Sequence, residues 1–197
     1  MLGAMPELVL LRPASALLDS YRAALEAGWS PHNLRGAAVA AEHLAAIAAD
    51  PEGFLASLEQ PPGRAGTVHL PDGSRVPRLP GFTRWLSDGE FCGAIHFRWQ
   101  PGTEALPPHV LGHVGYTVVP WKRGRGLARR ALALLLPEAR ARGLRHVELT
   151  TDPGNLASQR VILACGGQFV ERFRAPAAYG AAEELRFRIP LPPEPAA

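Results

Sequence analysis

The sequence predicts a single α/β (α+β) domain in which helices lie before and within a mixed sheet. Its 197 residues, 47% of them hydrophobic and 20% charged, suffice for one substantial core but would be cramped as two complete domains. The first 65 residues space their apolar side chains as helices do, whereas later segments alternate apolar and polar residues as half-buried strands do. We therefore expect a mainly helical portion at 1–65, a sheet-rich core at 66–191 and a frayed tail at 192–197.

The N-terminal portion is predicted to contain one short strand and three helices. The strand lies at 8–12, and the first helix follows at 13–28, where apolar residues repeat on one face and Gly28 ends the pattern. The second helix is an alanine-rich segment at 35–49 that stops before a proline. A third, short helix is predicted at 53–58.

The remaining elements alternate strands with two helices. Residues 91–99 alternate strictly, which predicts a strand with one buried face. Pro137 interrupts the first helix, at 126–141, and predicts a kink or a break there. The second helix begins after Asn155 and ends at a Gly-Gly pair. The other predicted strands lie at 67–70, 82–86, 112–119, 145–151, 168–173 and 184–191.

Composition and charge narrow the function classes. The net charge of +3 comes largely from arginine, because Lys122 is the only lysine. Nucleic-acid binding rests only on a pI near 9.3, with no aromatic stripe or recognition helix in support. Cys92 and Cys165 cannot define a disulfide framework, so a cytoplasmic protein is expected. We also expect no membrane segment, and no metal site, since the seven histidines lack ligand spacing.

A glycine-punctuated turn between a strand and a helix is the strongest functional signal. Residues Arg123 to Ala128 read Arg-Gly-Arg-Gly-Leu-Ala and directly precede an amphipathic helix. Such a turn presents unpaired backbone N–H groups at the positive end of the helix, which favours phosphate, and arginines add cationic donors. The turn lacks the Gly-Lys-Ser/Thr of a P-loop and the third glycine of a dinucleotide fingerprint.

The context of this turn resembles the GCN5-related N-acetyltransferase (GNAT) superfamily. Val118-Val119-Pro120 precedes it, and Arg123-x-x-Gly126-x-Ala128 matches the acyl-CoA motif of that superfamily. A poorly characterised branch also carries the patterns Gly112-His113-Val114-Gly115-Tyr116 and Asn155-x-x-Ser158 with a Gly-Gly helix end. The resemblance covers residues 82–191 and implies a mixed, mostly antiparallel central sheet flanked by helices.

The resemblance also implies residues that contact acetyl-CoA, the expected co-substrate. Backbone groups at the end of the preceding strand would pair with the pantetheine arm, and the amides of the turn would hold the pyrophosphate. Asn155 would contact the cofactor, although an N-cap of the following helix explains it equally well, and helix packing is the favoured explanation of Ser158. The implied contacts are Val118, Val119, Arg123, Gly124, Arg125, Gly126, Leu127, Ala128, Asn155 and Ser158.

The catalytic groups are less well defined than the cofactor contacts. Many family members place a tyrosine, as proton donor to the leaving thiolate, seven residues after the asparagine, and here that position is Ile162. Candidates for the general base are His113, Tyr116 and Glu148. Strand alternation puts His113 and Tyr116 on opposite faces, so at most one is expected to face the acceptor. His96 and Arg98 are candidates for the acceptor pocket or are ordinary polar residues of a surface strand.

Two functions follow from these residues. The first is an acetyl-CoA-dependent N-acetyltransferase that acts directly on the primary amine of a small molecule, amino acid or peptide. The alternative is a non-catalytic acyl-CoA-binding or sensing protein, because Ile162 replaces the usual tyrosine. Homodimers are frequent in the family, and the sequence leaves both the oligomeric state and the acceptor open.

Overall fold

The structure is a computed structural model that describes residues 8–33, 35–63, 66–69 and 73–192. Its helices are α1 (Leu18–Glu26), α2 (Gly36–Ala49), α3 (Pro51–Ser57), α4 (Leu127–Arg140) and α5 (Leu156–Ala164). Its strands are β1 (Val9–Leu11), β2 (Glu59–Gln60), β3 (Thr67–His69), β4 (Arg75–Pro77), β5 (Gly81–Ser87), β6 (Phe91–Arg98), β7 (Val114–Val118), β8 (His146–Thr151), β9 (Gln168–Arg174) and β10 (Glu183–Pro190). The mixed α/β fold class is therefore confirmed.

The strands form two main sheets and a hairpin. The first sheet has the order β1-β5-β6-β7, with β2 beside β5, so β7 is an edge strand. The second has the order β8-β10-β9, and its three strands are antiparallel to their neighbours. The third is the antiparallel pair β3-β4. An edge strand leaves one row of backbone groups without a ladder partner.

The chain divides into two compact units, and each has its own core. The first unit comprises Met1–Glu59, Thr83–His96 and Tyr116–Ala131. Its core is aromatic: Tyr21 stacks on Trp85 with ring centroids 4.5 Å apart, and Phe91 packs edge-on against Tyr21 at 5.0 Å. Because each large ring removes much apolar surface from water, this cluster anchors the N-terminal helices to β5 and β6.

The second unit comprises Gln60–Phe82, Phe97–Gly115 and Leu132–Ala197. Alternating residues of β8 and β10 are buried, as the sequence pattern predicts for 145–151 and 184–191, whereas β9 is mostly exposed. These buried side chains are Val147, Leu149, Leu185, Phe187 and Ile189. The prediction of one domain over 1–197 stays a prediction.

The structure corrects two expectations about individual elements. The break expected at Pro137 is wrong, because helix α4 runs unbroken through that residue and Ala141 N donates to the Pro137 carbonyl at 2.9 Å, whereas a kink there stays a prediction. The missing proline N–H removes one helical hydrogen bond, but the fully buried apolar face of α4, with Leu132 and Leu135, holds the helix together. Strand β6 does not have a single buried face, because Phe91 to Ile95 are all buried.

A close backbone approach occurs where β6 meets β7. Gly93 has a φ of +156°, and a Cβ there would lie 2.3 Å from the Thr117 carbonyl oxygen. A side chain at this position would therefore push the two strands apart.

The other predicted elements agree with the structure to within a few residues. The ends of two predictions, Leu70 and residues 193–197, lie outside the described residues. In the ranges that the structure describes, no helix combines the length and the apolar character needed to cross a bilayer.

Candidate functional site

The turn at Arg123 to Ala128 begins at the end of edge strand β7. Val119 N donates to the Cys92 carbonyl at 3.0 Å, so Val119 faces β6. Adjacent residues of a strand direct their backbone groups to opposite sides, so those of Val118 point to the outer edge. The Val118 carbonyl there accepts a hydrogen bond from Arg123 Nε at 3.2 Å.

Lys122, one residue before the turn, is a buried cation that none of the sequence motifs includes. Its Nζ lies 2.8 Å from Asp88 Oδ1 and 3.3 Å from Glu90 Oε2, and it contacts Cys92 Sγ at 3.5 Å. The side chain is only 8% exposed. The available signal was that the only lysine of the chain directly precedes the turn.

The ion pair is ionised on both sides. Burial disfavours the charge on Lys122, but hydrogen bonds to Asp88 and Glu90 outweigh it and raise the pKa of the ammonium group. Burial likewise opposes the charge of Asp88, yet the hydrogen bond from Lys122 holds the pKa of that carboxyl below its usual value. The contacts of Lys122 with Asp88 and Glu90 therefore hold the start of the turn before α4 against the loop that connects β5 and β6.

The turn itself has an anion-binding geometry. Gly124 and Gly126 adopt left-handed conformations with φ of +76° and +72°, and a Cβ at either would meet no atom within 4 Å. The space beside the glycine backbone is therefore open to a ligand. The residues Arg123 to Gly126 are exposed.

The start of α4 adds donors and positive charge. Its first helical hydrogen bond runs from Arg130 N to the Gly126 carbonyl at 3.1 Å, so the N–H groups of Leu127 and Ala128 have no acceptor within the helix. No acidic residue occupies the first turn of α4. The amides of Leu127 and Ala128, the helix dipole and the exposed side chains of Arg123 and Arg125 together suit phosphate groups.

Asn155 is the N-cap of α5, which confirms one of its two explanations. Its Oδ1 accepts a hydrogen bond from Ser158 N at 3.1 Å. The Asn155 side chain is exposed, and Ser158 is half-buried. A cofactor contact by either residue stays a prediction.

His113 and Glu148, two candidates for the general base, lie side by side in the second unit. Glu148 N donates to His113 Nδ1 at 2.9 Å, and His113 N donates to the Glu148 carbonyl at 2.7 Å. His113 is completely buried, and its Nε2 has no partner among the described residues. Since Nδ1 accepts, the neutral ring carries its proton on Nε2.

Both side chains are weak bases. Burial of His113 outweighs the attraction of Glu148 and lowers the pKa of the imidazole to about 4. Burial of Glu148 opposes its charge, but hydrogen bonds from Arg188 at 2.7 Å and Arg186 at 2.9 Å prevail and lower the pKa of the carboxyl. At neutral pH the imidazole is uncharged and the carboxylate is ion-paired. Their catalytic roles stay predictions.

Tyr116 and Ile162 occupy different environments. Tyr116 is half-buried on β7. Ile162 is completely buried in α5, and a Cβ on Gly167 would lie 2.4 Å from its Cγ2. Ile162 is therefore a packing residue with no proton to donate.

The second unit also contains a surface cleft of about 230 Å³. Its walls come from the loop before β7, from β9 and from Glu148 and Arg186. Most lining side chains are apolar, among them Leu106, Pro108, Val110 and Phe173. Within the described part of the chain, no group of three or more His, Cys, Asp or Glu residues is arranged to hold a metal ion.

A comparison with known protein families identifies the family to which this chain belongs. The profile described as Acetyltransferase (GNAT) family matches residues 40–166, which is more than half of the chain. The chain belongs to the GNAT family. As a GNAT protein it is an acyltransferase, and the turn before α4 falls inside the matched segment. A comparison with curated protein sequences finds no match.

Solved structures show the same fold at low sequence identity. The microcin C7 self-immunity acetyltransferase MccE, in complex with acetyl-CoA and AMP, is 10% identical over 93% of this chain and 92% of its own, with a TM-score of 0.57. RimL, a ribosomal L7/L12 alpha-N-protein acetyltransferase in complex with coenzyme A, is 12% identical over 93% of this chain and 94% of its own, with a TM-score of 0.56. The ribosomal-protein-S5-alanine acetyltransferase from Vibrio fischeri is 16% identical over 96% of this chain and 94% of its own, with a TM-score of 0.55.

We expect Lys122→Met to destabilise the fold and to weaken coenzyme A binding. The substitution leaves the partly buried Asp88 carboxylate without its counter-ion, at a cost of about 1–3 kcal/mol. Denaturant unfolding and calorimetric titration with coenzyme A measure the two effects. Lys122→Arg, which keeps the positive charge, should lose less stability and less affinity for coenzyme A than Lys122→Met.

A double-mutant cycle with Asp88→Asn serves as the control for Lys122→Met. Residues of one ion pair couple, so the double variant should be more stable than the sum of the two single losses predicts. Strict additivity would contradict the role assigned to this pair.

We expect His113 to make the protein less stable in mild acid. Its folded pKa lies below the ordinary value of 6.5, so its stabilisation is complete above pH 6.5 and is lost as the pH falls toward 4. The loss amounts to about 3 kcal/mol. Denaturant unfolding between pH 7.5 and 4.5 should show a flatter pH dependence for His113→Asn than for the wild type. Identical slopes of the unfolding free energy against pH for the variant and the wild type would contradict a lowered pKa of the His113 imidazole.

Proposed function

We propose that this acyltransferase moves the acetyl group of acetyl-CoA directly to the primary amine of a small molecule, an amino acid or a peptide. The observation that carries the proposal is the turn at Arg123 to Ala128, with its two left-handed glycines, its exposed arginines and the Leu127 and Ala128 amides that have no acceptor within the helix. Two proteins of the same fold, MccE and RimL, were solved with acetyl-CoA and with coenzyme A, which supports the choice of donor.

The residues of the chain fit this donor. The amides of 124–128 and the guanidinium groups of Arg123 and Arg125 would hold the phosphates. The outward backbone groups of Val118 would pair with the amide-containing arm, while the Val119 N–H already bonds to β6. The side-chain NH₂ of Asn155, whose Oδ1 caps α5, is the group proposed to contact the cofactor.

When bound, acetyl-CoA supplies an activated thioester acetyl group, and the protein has to manage protons around it. The acceptor amine must be neutral to attack, which requires loss of a proton to a side chain or to water. Glu148 is ionised but ion-paired, and His113 is neutral but buried. As the new C–N bond forms, the C–S bond of the thioester breaks and the thiolate of coenzyme A leaves, to be protonated by a side chain or by water. Ile162 offers no proton, so Tyr116, half-buried on the strand before the turn, is the remaining candidate for this proton transfer.

The direct test is acetylation of a panel of amines. The full chain is incubated with acetyl-CoA and small amines, amino acids or peptides, and products are detected by mass spectrometry. We expect one class to gain a single acetyl group. Binding of coenzyme A with no product from any amine would instead indicate the non-catalytic acyl-CoA-binding protein.

A pair of glycine variants tests whether the turn binds the donor. Gly124→Val should raise the KM for acetyl-CoA about tenfold or more, since a side chain occupies the open space beside the backbone. Gly143→Val is the matched control, because Gly143 has a similar φ of +83° with nothing within 4 Å. Equal changes of the KM for acetyl-CoA in the two variants would contradict binding of the donor at this turn.

A further inference from the structure

Trp121 is an exposed tryptophan just before the turn at Arg123 to Ala128. It is 51% exposed, whereas Trp29 and Trp85 are buried in the aromatic core of the first unit. The other three tryptophans, Trp29, Trp85 and Trp99, each pack against an aromatic ring. Trp121 makes no such contact with any residue that the structure describes. The face of its indole is therefore open to a ligand.

The backbone on both sides of Trp121 is held in place. Pro120, Trp121 and Lys122 form one short 3₁₀ helix. Lys122 N donates to the Val119 carbonyl at 3.0 Å, and Arg123 N donates to the carbonyl of the proline at 3.3 Å. Successive side chains of a 3₁₀ helix point about 120° apart, so the buried Lys122 and the exposed indole point in different directions. The buried lysine thus anchors the segment that carries the indole at the surface.

The surroundings of Trp121 are cationic rather than apolar. In the segment 116–131, which the structure describes completely, Trp121 is the one large hydrophobic side chain that is exposed. A hydrophobic protein interface needs a contiguous patch of such side chains. The charged side chains exposed in this segment are all arginines. They are Arg123, Arg125, Arg129 and Arg130. One aromatic ring among several cations suits a ligand that joins an aromatic ring to phosphate groups.

The chain also brings the indole within reach of such a ring. Trp121 lies two residues before Arg123, where the turn begins, so their Cα atoms are roughly 7 Å apart or less. In coenzyme A a single ribose joins the adenine to the pyrophosphate. A pyrophosphate bound to the amides of the turn therefore leaves the adenine at a distance that a tryptophan side chain can span.

We propose that the indole of Trp121 stacks on the adenine ring of coenzyme A and so recognises the nucleotide end of the donor. This inference rests on the proposed function and adds a residue to the donor site. Stacking uses the π-face of the base and not its charge, so it supplies affinity that the arginines and the amides do not. Because the acetyl group lies at the other end of the donor, acetyl-CoA and free coenzyme A gain alike.

Calorimetric titration with coenzyme A and with 4′-phosphopantetheine, which lacks the adenosine, tests the stack. Trp121→Ala should weaken binding of coenzyme A about 5- to 100-fold and leave binding of 4′-phosphopantetheine unchanged. Trp121→Phe, which keeps an aromatic face, should lose less affinity than Trp121→Ala. Leu134→Ala is the matched control at a leucine of α4 that is 47% exposed, and it should leave both affinities unchanged.

The fluorescence of the indole provides a second readout that does not depend on activity. Stacking on a base quenches tryptophan emission, and the difference between the wild type and Trp121→Phe isolates the contribution of Trp121. Coenzyme A should quench this contribution with the Kd that calorimetry gives. Pantetheine phosphate should leave it unchanged.

The results that overturn this inference differ from those that overturn the proposed function. Unchanged affinity for coenzyme A in Trp121→Ala, while Gly124→Val weakens binding, rules out the stack and keeps the donor site. The same unchanged affinity with a loss of self-association in sedimentation would instead place the indole in an interface between copies of the chain. If the wild type does not bind coenzyme A, the donor site and the stack are both wrong.

Discussion

The ion pair between Lys122 and Asp88 is the contact on which the proposed donor site depends. It joins two segments 34 residues apart in sequence, at the point where edge strand β7 gives way to the turn. A loop with two left-handed glycines has many accessible conformations and would lose considerable entropy on binding a ligand. The buried, ionised pair fixes the residue before Arg123, and the Arg123 guanidinium in turn bonds to the Val118 carbonyl. The amides of the turn are thereby oriented before any phosphate arrives.

The same physical rule, that a buried charge needs a partner, distinguishes the other polar residues of the chain. Glu148 is shielded but bound by two arginines, so its charge serves the structure of the three-stranded sheet. His113 avoids the penalty by being neutral, with Nδ1 accepting from a backbone amide.

The sequence alone predicts those features that depend on residues close to one another along the chain. The turn at Arg123 to Ala128, the N-cap at Asn155 and the alternation of β8 and β10 depend on neighbours a few residues apart, and the structure contains them. The partner of Lys122 and the burial of His113 depend on distant segments, because strand alternation gives the side of a residue but not what covers that side. The continuous helix through Pro137 was missed for a related reason: a buried apolar face outweighs one lost hydrogen bond.

The proposed role of the turn before α4 is to bind the phosphates of acetyl-CoA through its backbone amides. Backbone amide NMR spectra of the ¹⁵N-labelled chain, recorded during titration with coenzyme A and again with pantetheine, which lacks the pyrophosphate, test this role. We expect large shifts of the Gly124, Gly126 and Ala128 amides with coenzyme A and small ones with pantetheine. Saturable binding of coenzyme A that leaves these amides unshifted would contradict it.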